Sequence, residues 1–191
     1  TVHGHALVFG EANPAWLNSV PKNEVESVML DHIQTVVGHF KDSIYSWDVI
    51  NEPLADYDAF TAASPLRKHV WQQAIGSSYI EKALRAAHAA NPNAELWIND
   101  FGMEGSVGDG GDSERFDAML ALASDLKAKG VPLTGIGFQS HVYEKGDEII
   151  AQTFESRLSQ LEKLGLKARV SELDVHNDAG RTTQATQFAT V

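Results

Sequence analysis

The 191-residue chain is 43% hydrophobic, enough to bury one substantial core, so a single domain over residues 1–191 is the expectation. A formal net charge of −11 repels phosphates, which argues against a nucleic-acid partner and disfavours an anionic membrane surface or an acidic polysaccharide; a neutral polymer meets no such barrier. Cysteine is absent, which removes disulfides, thiolate zinc sites and a cysteine nucleophile. No apolar run reaches the roughly 18 to 20 residues that span a bilayer, and Thr1-Val2-His3-Gly4-His5 shows no basic start leading into an apolar stretch, so no signal peptide is visible in these residues.

In chain order, short apolar runs alternate with helical periodicity. Residues 5–9 read as a first strand. Val25, Val28, Met29, Ile33, Val36, Val37 and Phe40 then step by three and four, giving a helix with one apolar face. A second strand follows at 44–50. Residues 71–90 read as one long Ala-rich helix stopped by Asn91-Pro92, and a third strand at 94–98. The Gly-rich run 105–112 lacks a Gly-Lys-Ser/Thr ending and carries Asp109 and Asp112, so it reads as a rim loop with a capped helix rather than a phosphate cradle. Phe116, Met119, Leu120, Ala123 and Leu126 mark the next helix, ended by Lys129-Gly130-Val131-Pro132. A fourth strand at 133–138, a helix carrying Phe154, Leu158, Leu161 and Leu164, and a fifth strand at 167–173 complete the series. Strand followed by helix, repeated about every 35 to 50 residues, predicts an α/β fold of the (β/α)8 TIM-barrel type. With about five βα units against the eight of a closed barrel, the expectation is a partial barrel with open strand edges.

In such barrels the chemistry gathers at the C-terminal ends of the strands. Those ends carry Asn51-Glu52, Asn99-Asp100, Gln139-Ser140-His141 and Glu172-Leu173-Asp174. A carboxylate where a strand stops has a buried base and an open tip, a setting that can raise its proton affinity. Two of them across a cleft, Glu52 and Glu172, are the equipment for cleaving a glycosidic bond. Each residue also has a plainer reading. Asn99-Asp100 can be a turn and helix cap, His141 a hydrogen-bonded structural histidine, and Asp174 a barrel salt bridge. His3 and His5 share a strand face, where core packing outweighs metal binding because no third ligand stands at suitable spacing. Ser140 beside His141 is not a nucleophile–base pair, since neighbours on a strand point to opposite faces.

The runs 3–8, Trp47-Asp48-Val49-Ile50-Asn51-Glu52-Pro53, Ile98-Asn99-Asp100-Phe101, Gly135-Ile136-Gly137-Phe138-Gln139-Ser140-His141 and Ser171-Glu172-Leu173-Asp174-Val175 together resemble glycoside hydrolase family ten, the β-1,4-xylanases. Trp71-Gln72-Gln73-Ala74-Ile75-Gly76 fits as well. The resemblance covers essentially the whole chain, with the motifs in the family's order. It implies that Glu52 is the general acid/base and Glu172 the nucleophile of a retaining mechanism, their carboxyls about 5 to 5.5 Å apart. It further implies that Asn51 meets the sugar 2-hydroxyl, that His141 orients Glu172, that Asp174 holds His141, that Gln139 and Asn99 contact the sugar or the catalytic carboxylates, and that His5 contacts substrate. The implied partners are xylan and xylo-oligosaccharides, with no cofactor or metal, an extracellular (secreted) location, and a complementing chain or self-association if the barrel is incomplete. One departure stands out: Phe9-Gly10 replaces the family's usual Trp-His pair, whose histidine contacts the sugar beside the scissile bond. The alternatives are a β-1,4-glucanase of the same mechanism and a catalytically silent xylan-binding fragment.

Overall fold

The computed structural model of the chain describes residues 2–105, 112–143, 149–176 and 184–185. Its centre is a parallel sheet in the order β1 (Val2–Phe9), β2 (Ile44–Asn51), β3 (Glu95–Asp100), β4 (Gly135–Phe138) and β6 (Lys167–Val170). Consecutive strands are neighbours and each crossover carries helix, as a (β/α) succession demands. The helices are α1 (Val25–His39), α2 (Val70–Ile75), α3 (Tyr79–Ala90), α4 (Asp112–Ala128) and α5 (Ala151–Lys163), with a 3-10 turn at Ala15–Ser19 after β1. Two further strands, β5 (His141–Tyr143) and β7 (Asp174–His176), form a separate parallel pair beyond the ends of β4 and β6.

The helical periodicities point where the sequence placed them. Val25, Met29, Ile33 and Val37 are the buried stripe of α1, and Phe116, Met119, Ala123 and Leu126 that of α4. Together with Val49, Leu96, Ile98 and Ile136 from the strands they make one apolar cluster between sheet and helices. The expected single helix over 71–90 is corrected to two. Gly76 takes φ +81 after α2, a conformation glycine reaches without a Cβ penalty, and α3 starts afresh at Tyr79. The fifth strand is likewise shorter than 167–173: the regular ladder with β4 ends at Val170, after which the Ser171 and Glu172 N–H groups still donate to the Phe138 and Gln139 carbonyls before β7 begins at Asp174. Of the Gly-rich run 105–112, residues 106–111 lie outside the described residues.

Register, more than strand count, sets the inner face. Asp48 pairs with Trp97, yet it is Ile50 that pairs with Ile98 and Asn51 with Asn99, so β2 has one residue more than β3 over this stretch. Such a bulge shifts the alternation and brings Asp48 and Asn51 onto the same face. That row continues across the sheet, Asn99 opposite Gly137 and Gly137 opposite Arg169. Gly137 must be glycine here, since a Cβ would overlap the Asn99 amide. Arg169 lies over the Trp97 ring at 4.5 Å and pairs with Asp48.

Ile33 is fully buried at the middle of the α1 stripe. Ile33→Ala is expected to lower stability by about 2 to 5 kcal/mol, read as a drop in the urea midpoint without a change in slope.

Candidate active site

Glu52 follows β2 with φ +50, a left-handed backbone that costs a non-glycine residue roughly 1 to 2 kcal/mol. Its N–H donates to the Asn99 carbonyl at 2.8 Å, which ties the turn to the next strand. The carboxyl is 17% exposed. Its Oε1 accepts from Gln139 Nε2 at 3.1 Å and from Asn51 Nδ2 at 3.4 Å, and its Oε2 takes Arg67 at 3.1 Å. Glu172 lies just past β6, its N–H on the Gln139 carbonyl at 3.2 Å. Its carboxyl is 32% exposed. Oε1 accepts from Asn99 Nδ2 at 2.6 Å, and Oε2 lies 3.3 Å from His141 Nε2.

The two carboxyls thus meet over one set of amides. Asn99 Nδ2 donates to Glu172 and, at 2.9 Å, to Asn51 Oδ1, while Asn51 Nδ2 turns toward Glu52. Asn99 Nδ2 faces the Glu172 carboxylate, which can only accept and so fixes the flip of the amide, while Asn99 Oδ1 accepts from Ser171 Oγ at 2.6 Å. The β5–β7 pairing sets His141 directly against Asp174, whose Oδ2 is 3.1 Å from His141 Nδ1. His141 therefore bridges Asp174 and Glu172; it donates to both only as imidazolium, and to one as the neutral ring.

Of the sequence-derived residues, Asn51, Glu52, Asn99, Gln139, His141, Glu172 and Asp174 are connected in one network of polar contacts. His5 stands one layer deeper, half exposed, with Nδ1 on Asp48 Oδ2 at 2.9 Å. That hydrogen bond raises its pKa above the usual histidine value, against burial and with the negative charges of Asp48 and Glu172 adding. His3 shares the same oxygen at 2.9 Å. The expectation of core packing for His3 and His5 is corrected: they form a polar cluster with Asp48 and Arg169, the carboxylate coming from the neighbouring strand rather than from local spacing. Burial pushes the Asp48 pKa up, but the hydrogen bonds from both histidines and the Arg169 charge outweigh it, and the net direction is down. Among the described residues no group of three or more side chains is arranged to hold a metal ion.

Two other readings change. Asn99-Asp100 is not a turn and cap; both residues end β3, and Asp100 is fully buried with Arg115 at 2.9 Å and the Leu54 N–H at 3.0 Å. Burial pushes the Asp100 pKa up to about 7, opposed by Arg115 and the backbone donors, with the charge of Glu52 adding to the rise. Ser140 is not on a strand. It takes φ +60 between β4 and β5, with its N–H at 2.7 Å and its hydroxyl at 3.1 Å from Glu104 Oε1. It stays apart from His141 chemistry for that reason rather than by strand alternation.

Sequence reasoning missed Arg67 and Glu104, one on the Glu52 carboxyl and the other holding the turn before His141. Neither sits at a strand end, and no local pattern marks them. The Phe9-Gly10 departure has a steric explanation. A Cβ on residue 10 would stand 2.7 Å from His69 Cδ2 and 3.3 Å from Arg67 Cδ, so these side chains already fill the space beside the strand end.

The sequence profile described as "Glycosyl hydrolase family 10" matches residues 1–191. Endo-1,4-beta-xylanase B of Thermotoga neapolitana is 35% identical over 175 residues, covering 91% of this chain and 46% of that protein. Native xylanase 10B from Thermotoga maritima superposes with a TM-score of 0.85 at 34% identity, over 98% of this chain and 55% of the other. Xylanase 10B from Thermotoga petrophila RKU-1, solved in complex with xylobiose, gives 0.83 at 34% identity over 98% and 54%. The chain spans about half the length of these relatives.

His69 caps α2, accepting the Gln72 N–H, and packs edge-on to Tyr79 at 5.2 Å. Burial, and then the Arg67 charge, lower its pKa to about 4. With the folded value depressed, its contribution is complete above pH 6.5 and is lost as pH falls from there through 4, on the order of 3 kcal/mol in all. Urea unfolding at pH 7 and 4.5 is expected to show a flatter pH dependence in His69→Asn than in the parent protein.

Proposed function

The chain belongs to glycosyl hydrolase family 10, and from that premise we propose that it carries the catalytic centre of an endo-β-1,4-xylanase acting by retaining double displacement. The family fold is the (β/α)8 barrel, and the five parallel strands here are part of it. The observation that carries the proposal is the pairing of Glu52 and Glu172 through Asn99 and Asn51 at the strand ends.

In this reading Glu172 attacks the anomeric carbon while Glu52 gives its proton to the departing glycosidic oxygen. A glycosyl ester on Glu172 results, and Glu52, now ionised, takes a proton from the water that hydrolyses it. The two steps regenerate both groups, and every proton moves between side chain, sugar and water. Asn99 holds the Glu172 oxygen that does not face His141, leaving the carboxyl a fixed direction of attack. Asn51 is assigned to the sugar 2-hydroxyl, where a hydrogen bond strengthens as positive charge develops. His141, seated by Asp174, orients Glu172. Gln139 and His5 are the remaining assigned contacts around the reacting sugar.

A neutral xylan main chain suits a protein of net charge −11, and the xylobiose complex of a 34% identical relative supports xylo-oligosaccharides as ligands. Xylan is a polymer outside cells, so we assign the protein an extracellular location. Among the described residues the outer strands β1 and β6 each have one neighbour in the sheet, and we assign further strands, from the same or another chain, to those edges.

Glu52→Ala is expected to lower xylan hydrolysis by roughly 10² to 10⁴-fold, and Glu172→Gln to abolish it, both measured as reducing ends released per minute. Near-parental rates in either variant would end the proposal. Faster cleavage of cello- than xylo-oligosaccharides would instead mark a glucanase, and saturable xylan binding with no new reducing ends a silent binding fragment.

A further inference from the structure

The loop that follows Glu52 folds back on itself. Leu54 bridges Leu66 in antiparallel fashion, the Ala55 N–H reaches the Pro65 carbonyl, and the Arg67 N–H reaches the Pro53 carbonyl, each of the latter two at 2.8 Å. This small ladder returns Arg67 to the carboxyl it left. The guanidinium, largely buried, is held on three sides: NH1 by Glu11 Oε1 at 2.8 Å, NH2 by Asp56 Oδ1 at 2.8 Å and by Glu52 Oε2 at 3.1 Å, with Nε on the Leu54 carbonyl at 3.3 Å. The bare Cα of Gly10 gives the Arg67 stem its room.

Resting on the catalytic reading above, we propose that Arg67 is a positioning residue that fixes the plane of the Glu52 carboxyl, and that Glu11 and Asp56 are the counter-charges that let Glu52 gain and lose a proton beneath it. With Oε2 on Arg67 and Oε1 on Gln139 and Asn51, the carboxyl is held at both ends and cannot spin. A guanidinium facing Glu52 alone would hold it as a carboxylate and oppose the acid step. Here the two exposed carboxylates make the shorter contacts and absorb most of that charge, while Glu52 takes the longest of the three. Arg67 acts through Glu52 and is assigned no contact with substrate.

The test separates the acid step from everything else. In the natural gene product carrying these residues, kcat/KM is compared on xylotetraose, whose leaving alkoxide needs a proton, and on 2,4-dinitrophenyl β-xylobioside, whose phenolate does not. Arg67→Met is expected to lose about 10 to 100-fold on xylotetraose and no more than about threefold on the aryl glycoside, with partial recovery in Arg67→Lys. The Glu11→Gln/Asp56→Asn double variant changes only exposed side chains and keeps their shape, and is expected to lose about 3 to 10-fold on xylotetraose alone. Should Arg67→Met lose its native circular dichroism, the double variant decides. Equal loss on both substrates, or unchanged rates on both, overturns the assignment while leaving the catalytic reading intact. A parental protein that turns over neither substrate overturns both.

Discussion

The constraint on which the rest depends is that two carboxyls must share one small space while partly withdrawn from water. At the separation of about 5.5 Å typical of retaining glycosidases, two ionised carboxylates repel by roughly 3 kcal/mol at an effective dielectric near 20. Each hydrogen bond to a charged group returns about 1.5 to 3 kcal/mol, so one good donor per carboxyl is barely enough and two suffice. Glu172 has the Asn99 amide with His141 across its other oxygen, and Glu52 has Gln139 and Arg67. Asn99 sits between the two, and its flip is set by the Glu172 carboxylate, which can only accept. The site is a balance of donors before it is a pair of acids.

That balance is bought by backbone geometry. The bulge in β2 turns Asp48 and Asn51 to the same face, so one strand supplies both a deep anchor for His3, His5 and Arg169 and a rim amide for the network. Gly137 opens the row to the Asn99 side chain. The left-handed turns at Glu52 and Ser140 aim side chains off strand ends, and each is held by a specific acceptor, the Asn99 carbonyl for one and the Glu104 carboxyl for the other. Strain of this kind persists where the surroundings over-determine it.

Much of this was legible in the sequence. Strand order, the apolar stripes of α1 and α4, and the polar residues at four strand ends follow from periodicity and from where chemistry collects in parallel barrels. The parts that were not legible depend on contacts distant in sequence. Asp48 reads as one more polar residue in a strand until the neighbouring strand sets two histidines on it. Arg67 belongs to a loop whose return to Glu52 is fixed by its own short ladder, and Glu104 to a loop crossing the next strand end. Asp100 looks like a helix cap because Asn-Asp is the usual chemistry of one, and only burial against Arg115 shows otherwise. The break at Gly76 lost out to the high helix propensity of the alanines that follow it.

The central claim is that Glu172 stands where it can bond to an anomeric carbon under the control of this network. Incubation with 2,4-dinitrophenyl 2-deoxy-2-fluoro-β-xylobioside, whose fluorine slows both steps while the activated leaving group permits the first, would trap that bond. Mass analysis of the digested protein should find one fluoroxylobiosyl group on the peptide containing Glu172, with none in Glu172→Gln. A label on another carboxylate, or a parental protein that stays unlabelled while releasing dinitrophenolate steadily, would contradict the account.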